Sequence, residues 1–133
     1  MMQLKETQKK FEETNLVEGW EVLSHDGWRT VQSSNKTIMY QVYQVKFDNG
    51  YVLECADNHI IINESHEEVF AVDSLGQLIH TDIGISRVVD VTPTEKYENM
   101  YDLSVDGDHL YFTNGILSHN TTTLGMDVLH DVI

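Results

Sequence analysis

Three consecutive residues near the end of this chain, His119, Asn120 and Thr121, could carry out a reaction on the backbone that holds them. An asparagine amide can attack its own main-chain carbonyl, close a succinimide and cut the chain after itself, provided that a neighbour protonates the leaving amine and polarises the carbonyl. His119 is placed to do so, because an imidazole titrates near neutral pH. Thr121 would then present a hydroxyl nucleophile on the far side of the bond to be cut, where an acyl transfer needs one. Alone, a His-Asn-Thr tripeptide is an ordinary polar turn. Its company gives it weight: Gly115, Ile116, Leu117 and Ser118 form a short apolar approach, His109 lies upstream, and Asp102 lies further up the same arm.

A scaffold must position these residues, and most of the preceding chain reads as β structure. Residues 20–24 (WEVLS) and 28–32 (WRTVQ) flank His25-Asp26-Gly27, which predicts a tight hairpin. Residues 40–47 (YQVYQVKF) alternate between two faces, Asp48-Asn49-Gly50 turns, and residues 51–56 (YVLECA) return. Residues 85–91 (ISRVVDV) read as a strand that Thr92-Pro93 interrupts. Residues 97–105 and 109–113, joined by Asp106-Gly107-Asp108, read as a third hairpin-like unit. Before Gly19, residues 4–17 suggest a short helix, with Leu4 and Phe11 on one stripe and Glu6 paired to Lys10. After Asn120, the apolar residues Leu124, Met126, Val128, Leu129, Val132 and Ile133 have broadly helical spacing. The expected fold is all-β, built of many short antiparallel strands with a short N-terminal helix. Its expected division is a leader (1–18), a β domain (19–120) and a flank (121–133).

Composition narrows the function. A chain of 133 residues with 41% apolar content suits one compact domain. No run approaches the roughly 20 apolar residues of a membrane span, and the charged opening MMQLKETQKK does not read as a secretory signal. The single cysteine, Cys55, excludes an internal disulfide and a Cys-built zinc site, and fits a reducing cytoplasm. His59, His66, Glu67 and His80 repeat no zinc-ligand spacing, so neither a metal nor a cofactor is expected. The net charge of -14 opposes direct binding to nucleic acid and would steer a basic partner towards the chain.

Taken together, residues 20–120 resemble the Hint domain of an intein, and the chain looks like the C-terminal fragment of an atypically split one. WEVLSHDGWRTV is similar to the strand pair that follows an intein's opening motif. VKFDNGYVLECADNHII is similar to the motif carrying the mid-domain catalytic histidine, which is His59 in this sequence. MYDLSVDGDHLYFTNGILSHN follows the family's terminal motif, with Asp102, His109, Gly115, His119 and Asn120 in step. The resemblance implies a horseshoe of antiparallel strands, incomplete without an N-terminal fragment, and a trans-splicing reaction. A separate N-intein fragment, bearing an N-terminal Cys or Ser and its N-extein, would dock and rearrange its first peptide bond to an ester or thioester. The acyl group would pass to Thr121, and Asn120 would cyclise to release the domain and leave ligated exteins. In this scheme His59 serves the first step, His109 assists the Asn120 amide, His119 donates around the scissile bond, and Asp102 organises charge between the two cleavage sites.

The sequence also departs from the family. Nothing between Met1 and Trp20 matches the opening motif, so the first nucleophile is expected on the partner. Ala56 stands where the family places a Thr, three residues before the histidine. The stretch between His66 and Ile85 has no room for a homing endonuclease, which implies a mini-intein. The threonines after Asn120 resemble those that follow the Lys of a phosphate-binding loop, so the host is read as a P-loop ATPase such as a phage terminase large subunit. Two other readings stay open: a Hint domain that only cleaves itself after Asn120, and a non-catalytic acidic β module that binds a basic partner.

Overall fold

A computed structural model of the chain describes residues 10–107 and 109–119, and within them almost every element is a β-strand. In chain order these are β1 (Phe11–Leu16), β2 (Glu21–Ser24), β3 (Gly27–Phe47), β4 (Val52–Cys55), β5 (Ile60–Ile62), β6 (Glu68–Phe70), β7 (Leu78–Thr81), β8 (Gly84–Val105), β9 (Leu110–Thr113) and β10 (Ile116–His119). One 3-10 turn, Ala71–Asp73, follows β6. The strands run in the order β1-β3-β8-β7-β10-β5-β6, with β2 and β4 also paired to β3 and β9 to β10. Every pairing is antiparallel.

Two strands are much longer than the sequence suggests. β3 has 21 residues and β8 has 22, and they pair from Val31↔Val105 to Phe47↔Val88. Residues 33–39 continue β3 without a break, and the interruption expected at Thr92-Pro93 is absent. Register shifts between Lys36 and Met39 and between Gln41 and Tyr43 bend the ladder without ending it. Pro93 sits opposite Tyr43, beside the second shift. Its missing N–H breaks nothing, because β7 covers only the stretch of β8 from Gly84 to Arg87 and leaves the side of β8 away from β3 open at Pro93.

The N-terminal helix is a second correction: residues 11–16 form a strand, with Asn15 opposite Ser34 and Leu16 opposite Ser33. A short helix with a thin apolar stripe is marginal in water, whereas the edge of β3 offers a row of donors and acceptors to satisfy. Lys36 Nζ lies 3.2 Å from Glu12 Oε1 across this pairing. Residues 4–9 of the expected helix, and the helical spacing expected after Asn120, lie outside the described residues.

Both Asp-containing hairpins expected near the start of the domain form, β2–β3 around His25-Asp26 and β3–β4 around Asp48-Asn49-Gly50. The third does not. β9 pairs with β10 instead of β8, with Leu117 opposite Phe112, through a turn at Asn114 (φ 50°) and Gly115 (φ 83°). Asn-Gly is the pair that a tight two-residue turn of this hand requires. A Cβ at Gly115 would come within 2.4 Å of the Tyr51 ring, so glycine is required there twice over. At the other turn, Arg29 Nη1 donates to the Asp106 carbonyl at 3.0 Å and lies where a Cβ of Gly107 would be.

The core joins the long strands to the short ones. Val45, Phe47, Leu53, Ile61, Ile79, Val88 and Ile116 are buried in one cluster, each contributing about 1.5–3 kcal/mol of apolar burial. Ile62, Leu110 and Leu117 form a smaller cluster under the β9–β10 hairpin. This packing fixes β10, and with it the approach to Asn120.

Candidate active site

β10 lies between β7 and β5, with Ile116 opposite Thr81 and Ser118 opposite Ile61. Its first three residues are buried, so its last positions are set by a rigid support. Two consecutive residues of this strand, Ser118 and His119, meet the other two histidines that the sequence singles out, His59 and His109.

His59 follows β4 by a short turn and is 5% exposed, which makes it a buried imidazole rather than a loop residue in solvent. Its Nε2 lies 3.1 Å from Ser118 Oγ. The Ser118 hydroxyl donates to the Ile116 carbonyl at 3.1 Å, so towards His59 it acts as acceptor and Nε2 carries the proton. In the neutral ring Nδ1 is then the basic nitrogen. Asp102, on β8, is 2% exposed and lines with His59 a cleft of about 100 Å³ that also includes Ala56 and Thr113. The mid-domain histidine and the terminal-motif aspartate therefore share one small space.

Asp102 is held by a polar ladder from β3. Asn35 Nδ2 donates to the Asp102 carbonyl at 3.1 Å and to Ser104 Oγ at 2.8 Å, and Ser33 Oγ donates to Asn35 Oδ1 at 3.3 Å. Beside it, the buried Tyr111 hydroxyl accepts the Leu103 N–H at 3.0 Å. Burial first, and then the negative charge of Asp102, push the Tyr111 phenol far above its ordinary value, so it stays protonated.

His109 and His119 form a second pair, with ring centroids 6.4 Å apart and planes at 78°. His109 adopts φ 65°, a left-handed conformation that a non-glycine residue enters at a cost of about 1–2 kcal/mol. Its Nδ1 donates to the Val105 carbonyl at 2.8 Å, which fixes the tautomer and makes Nε2 the basic nitrogen of the neutral ring. His119 Nε2 lies 3.4 Å from Glu68 Oε2 on β6. Backbone strain and tautomer control in one histidine are costs that packing alone does not require.

Four of the expected site residues are thus brought into two neighbouring pairs, His59 with Asp102 and His109 with His119. Asn120 and Thr121 lie outside the described residues. Ser118, Asn35 and Glu68 were not singled out from the sequence. Asn35 could have been found, since Val31, Ser33, Asn35 and Thr37 fall on one parity of a strand and the first is apolar. Ser118 and Glu68 meet their histidines only through the fold.

No family model matches the chain. It is 30% identical over 89 residues to a DNA polymerase of Thermococcus aggregans, a match that takes in 61% of this chain and 5% of the polymerase. The chain thus spans a small part of that protein. Among solved structures it is similar to the VidaL intein, with 29% identity and a TM-score of 0.70 over 75% of this chain and 69% of that one. It is similar to a consensus engineered intein with an atypical split site, at 26% identity and a TM-score of 0.60 over 82% and 89% of the two chains. The gp41-1 intein, at 23% identity and a TM-score of 0.68 over 80% and 84%, shares the fold.

Proposed function

We propose, from the premise that the chain belongs to the Hint-fold intein family, that it acts in protein splicing as the C-terminal partner of a split intein. A separate N-intein fragment supplies the first nucleophile, a Cys or Ser, and activates its own upstream peptide bond as an ester or thioester. His59 assists that step from the cleft it shares with Asp102, where Ala56 brings no hydroxyl and Thr113 does. The acyl group moves to the Thr121 hydroxyl and the N-fragment's nucleophile leaves with the proton. The Asn120 amide then attacks its own carbonyl, His109 takes the amide proton, and His119 gives a proton to the departing amine of Thr121. The resulting ester at Thr121 relaxes to an amide. The exteins, of which residues 121–133 belong to the second, end joined.

The observation that carries this reading is the pairing of His119, the residue before Asn120, with His109, which is strained and tautomer-locked. A β-branched Thr121 slows unassisted succinimide closure, so the bond should survive until the partner docks. The test mixes the chain with candidate N-fragment polypeptides and follows products by mass spectrometry. A ligated product from the wild type, and a branched ester with no released domain from Asn120→Ala, is the expected result. Normal ligation by Asn120→Ala would overturn it. Loss of the 121–133 peptide without ligation, whichever fragment is added, would replace splicing with self-cleavage.

A further inference from the structure

Away from the residues placed in the splicing reaction, three more histidines from three separate stretches line one cleft. His25 lies in the β2–β3 turn, His66 in the β5–β6 turn and His80 on β7, around a cleft of about 550 Å³. The His25 and His66 ring centroids are 5.6 Å apart, and those of His66 and His80 are 4.7 Å apart. Two imidazoles bound through nitrogen at roughly 2.0–2.1 Å to a tetrahedral ion have centroids about 5 Å apart. The two measured separations bracket that value.

His80 has the orientation of a metal ligand. Its Nε2 is buried and meets no hydrogen-bond partner among the described residues, while its ring also hydrogen-bonds the Glu64 backbone. The nitrogen that reaches Glu64 is therefore Nδ1, donating to the carbonyl, and the Nε2 lone pair points into a buried space with nothing to accept from. A metal-bound histidine is commonly fixed in this way, by its second nitrogen. His66 is set by a tight turn at φ 60°, its N–H bonded to the Asn63 carbonyl at 3.0 Å. Asn63 Oδ1 accepts the N–H groups of Ser65 and Glu67, each at 2.9 Å. As the side chains stand, no three ligand-type groups among the described residues converge on one point. His25 and His66 are both exposed, and His25 Nδ1 lies 3.1 Å from Ser24 Oγ, so metal binding requires both side chains to turn towards His80 and His25 to exchange that contact for the ion.

We propose that His25, His66 and His80 bind a divalent transition-metal ion of the zinc type, with water as the fourth ligand, and that the ion ties the β2–β3 turn to the β5–β6 turn and β7. The net charge of -14 favours capture of the cation. The three ligands come from different turns, which is why their spacing in the sequence resembles no known zinc motif.

The test is calorimetric titration of the full chain with zinc, with cobalt in parallel for its visible spectrum. One equivalent of saturable binding, tetrahedral cobalt bands and a raised melting midpoint are expected for the wild type. His66→Asn tolerates the left-handed backbone and keeps the turn. With His80→Gln, it should weaken binding by at least about tenfold, while His109→Ala binds as the wild type does. The proposal is overturned if the wild type shows no saturable binding with the ion in large excess. It is equally overturned if His109→Ala abolishes binding and His66→Asn retains it, since the ion would then sit at the splicing histidines.

Discussion

The two halves of the β3–β8 ladder share one hydrogen-bonding scheme and have opposite interiors. Towards Phe47 the buried positions are Val42, Val45, Phe47 and Val88, the last three packed against Leu53, Ile61 and Ile116. Towards Val31 the buried positions include Ser33, Asn35, Thr37, Asp102 and Ser104, all at or below 2% exposure. Polar groups this deep must pair, and these do: the Met100 N–H bonds Thr37 Oγ1 at 2.7 Å and Asn99 Nδ2 bonds the Thr37 carbonyl at 2.8 Å, in line with the Asn35 contacts. An apolar interior would give more stability at the same positions. The polar half makes sense as the support of one carboxylate, Asp102, at the edge of the cleft it shares with His59. Stability and placement are thus divided along a single pair of strands.

The sharpest way to break that division is to truncate in the dry half. Leu53→Ala removes a fully buried side chain and should lower the unfolding free energy by about 2–5 kcal/mol, read by chemical denaturation. Splicing per folded molecule should hardly change. Asn35→Leu tests the polar half in the opposite sense. It should cost about 1–3 kcal/mol of stability and slow product formation on the order of tenfold to a hundredfold through a displaced Asp102. A leucine variant that splices normally would reduce the ladder to scaffolding. Ser118→Ala comes next: losing the contact to His59 Nε2 should cost about 0.5–1.5 kcal/mol. It should also slow acyl transfer to Thr121 more than cleavage after Asn120, separable by following the branched intermediate.

How legible this was depends on how local each cause is. His59, Asp102, His109 and His119 stood out because their motifs are short and follow each other in the chain, and the Asp-Gly and Asp-Asn-Gly turns fix their hairpins from two or three residues. The length of β3 does not stand out, because the shift near Lys36 places an extra residue on β3, the shift near Gln41 places its extra residues on β8, and neither leaves a mark in composition. β1 was misread for a related reason: its strand character comes from the edge of β3, not from its own propensity. The third hairpin fails because the end of β8 pairs with β3, with Val31 opposite Val105, while the Asn114-Gly115 turn folds β9 onto β10. The pairing of His59 with Ser118, and the meeting of His25, His66 and His80, are made only by the fold.

The smallest expected effect lies at the dry end of the ladder, where one polar group interrupts the apolar pattern. Ser86 is 3% exposed, and its hydroxyl donates to Asp48 Oδ1, which also accepts the Arg87 N–H at 3.1 Å. The Ser86 hydrogen bond first, and then that of Arg87, hold the Asp48 carboxyl below its ordinary value. A carboxyl depressed in the folded state stabilises it above the unfolded pKa, near 4, and that contribution disappears as pH falls through the lower folded value. Ser86→Ala should therefore melt below the wild type at neutral pH, and the gap should narrow as the solution is acidified through that window. It should not close, because Ser86 Oγ also accepts the Asn49 N–H at 3.3 Å, and that bond does not titrate. A gap that stayed constant down to strongly acid pH would mean that Ser86 acts through packing and the Asn49 bond alone, with no contribution from the Asp48 charge.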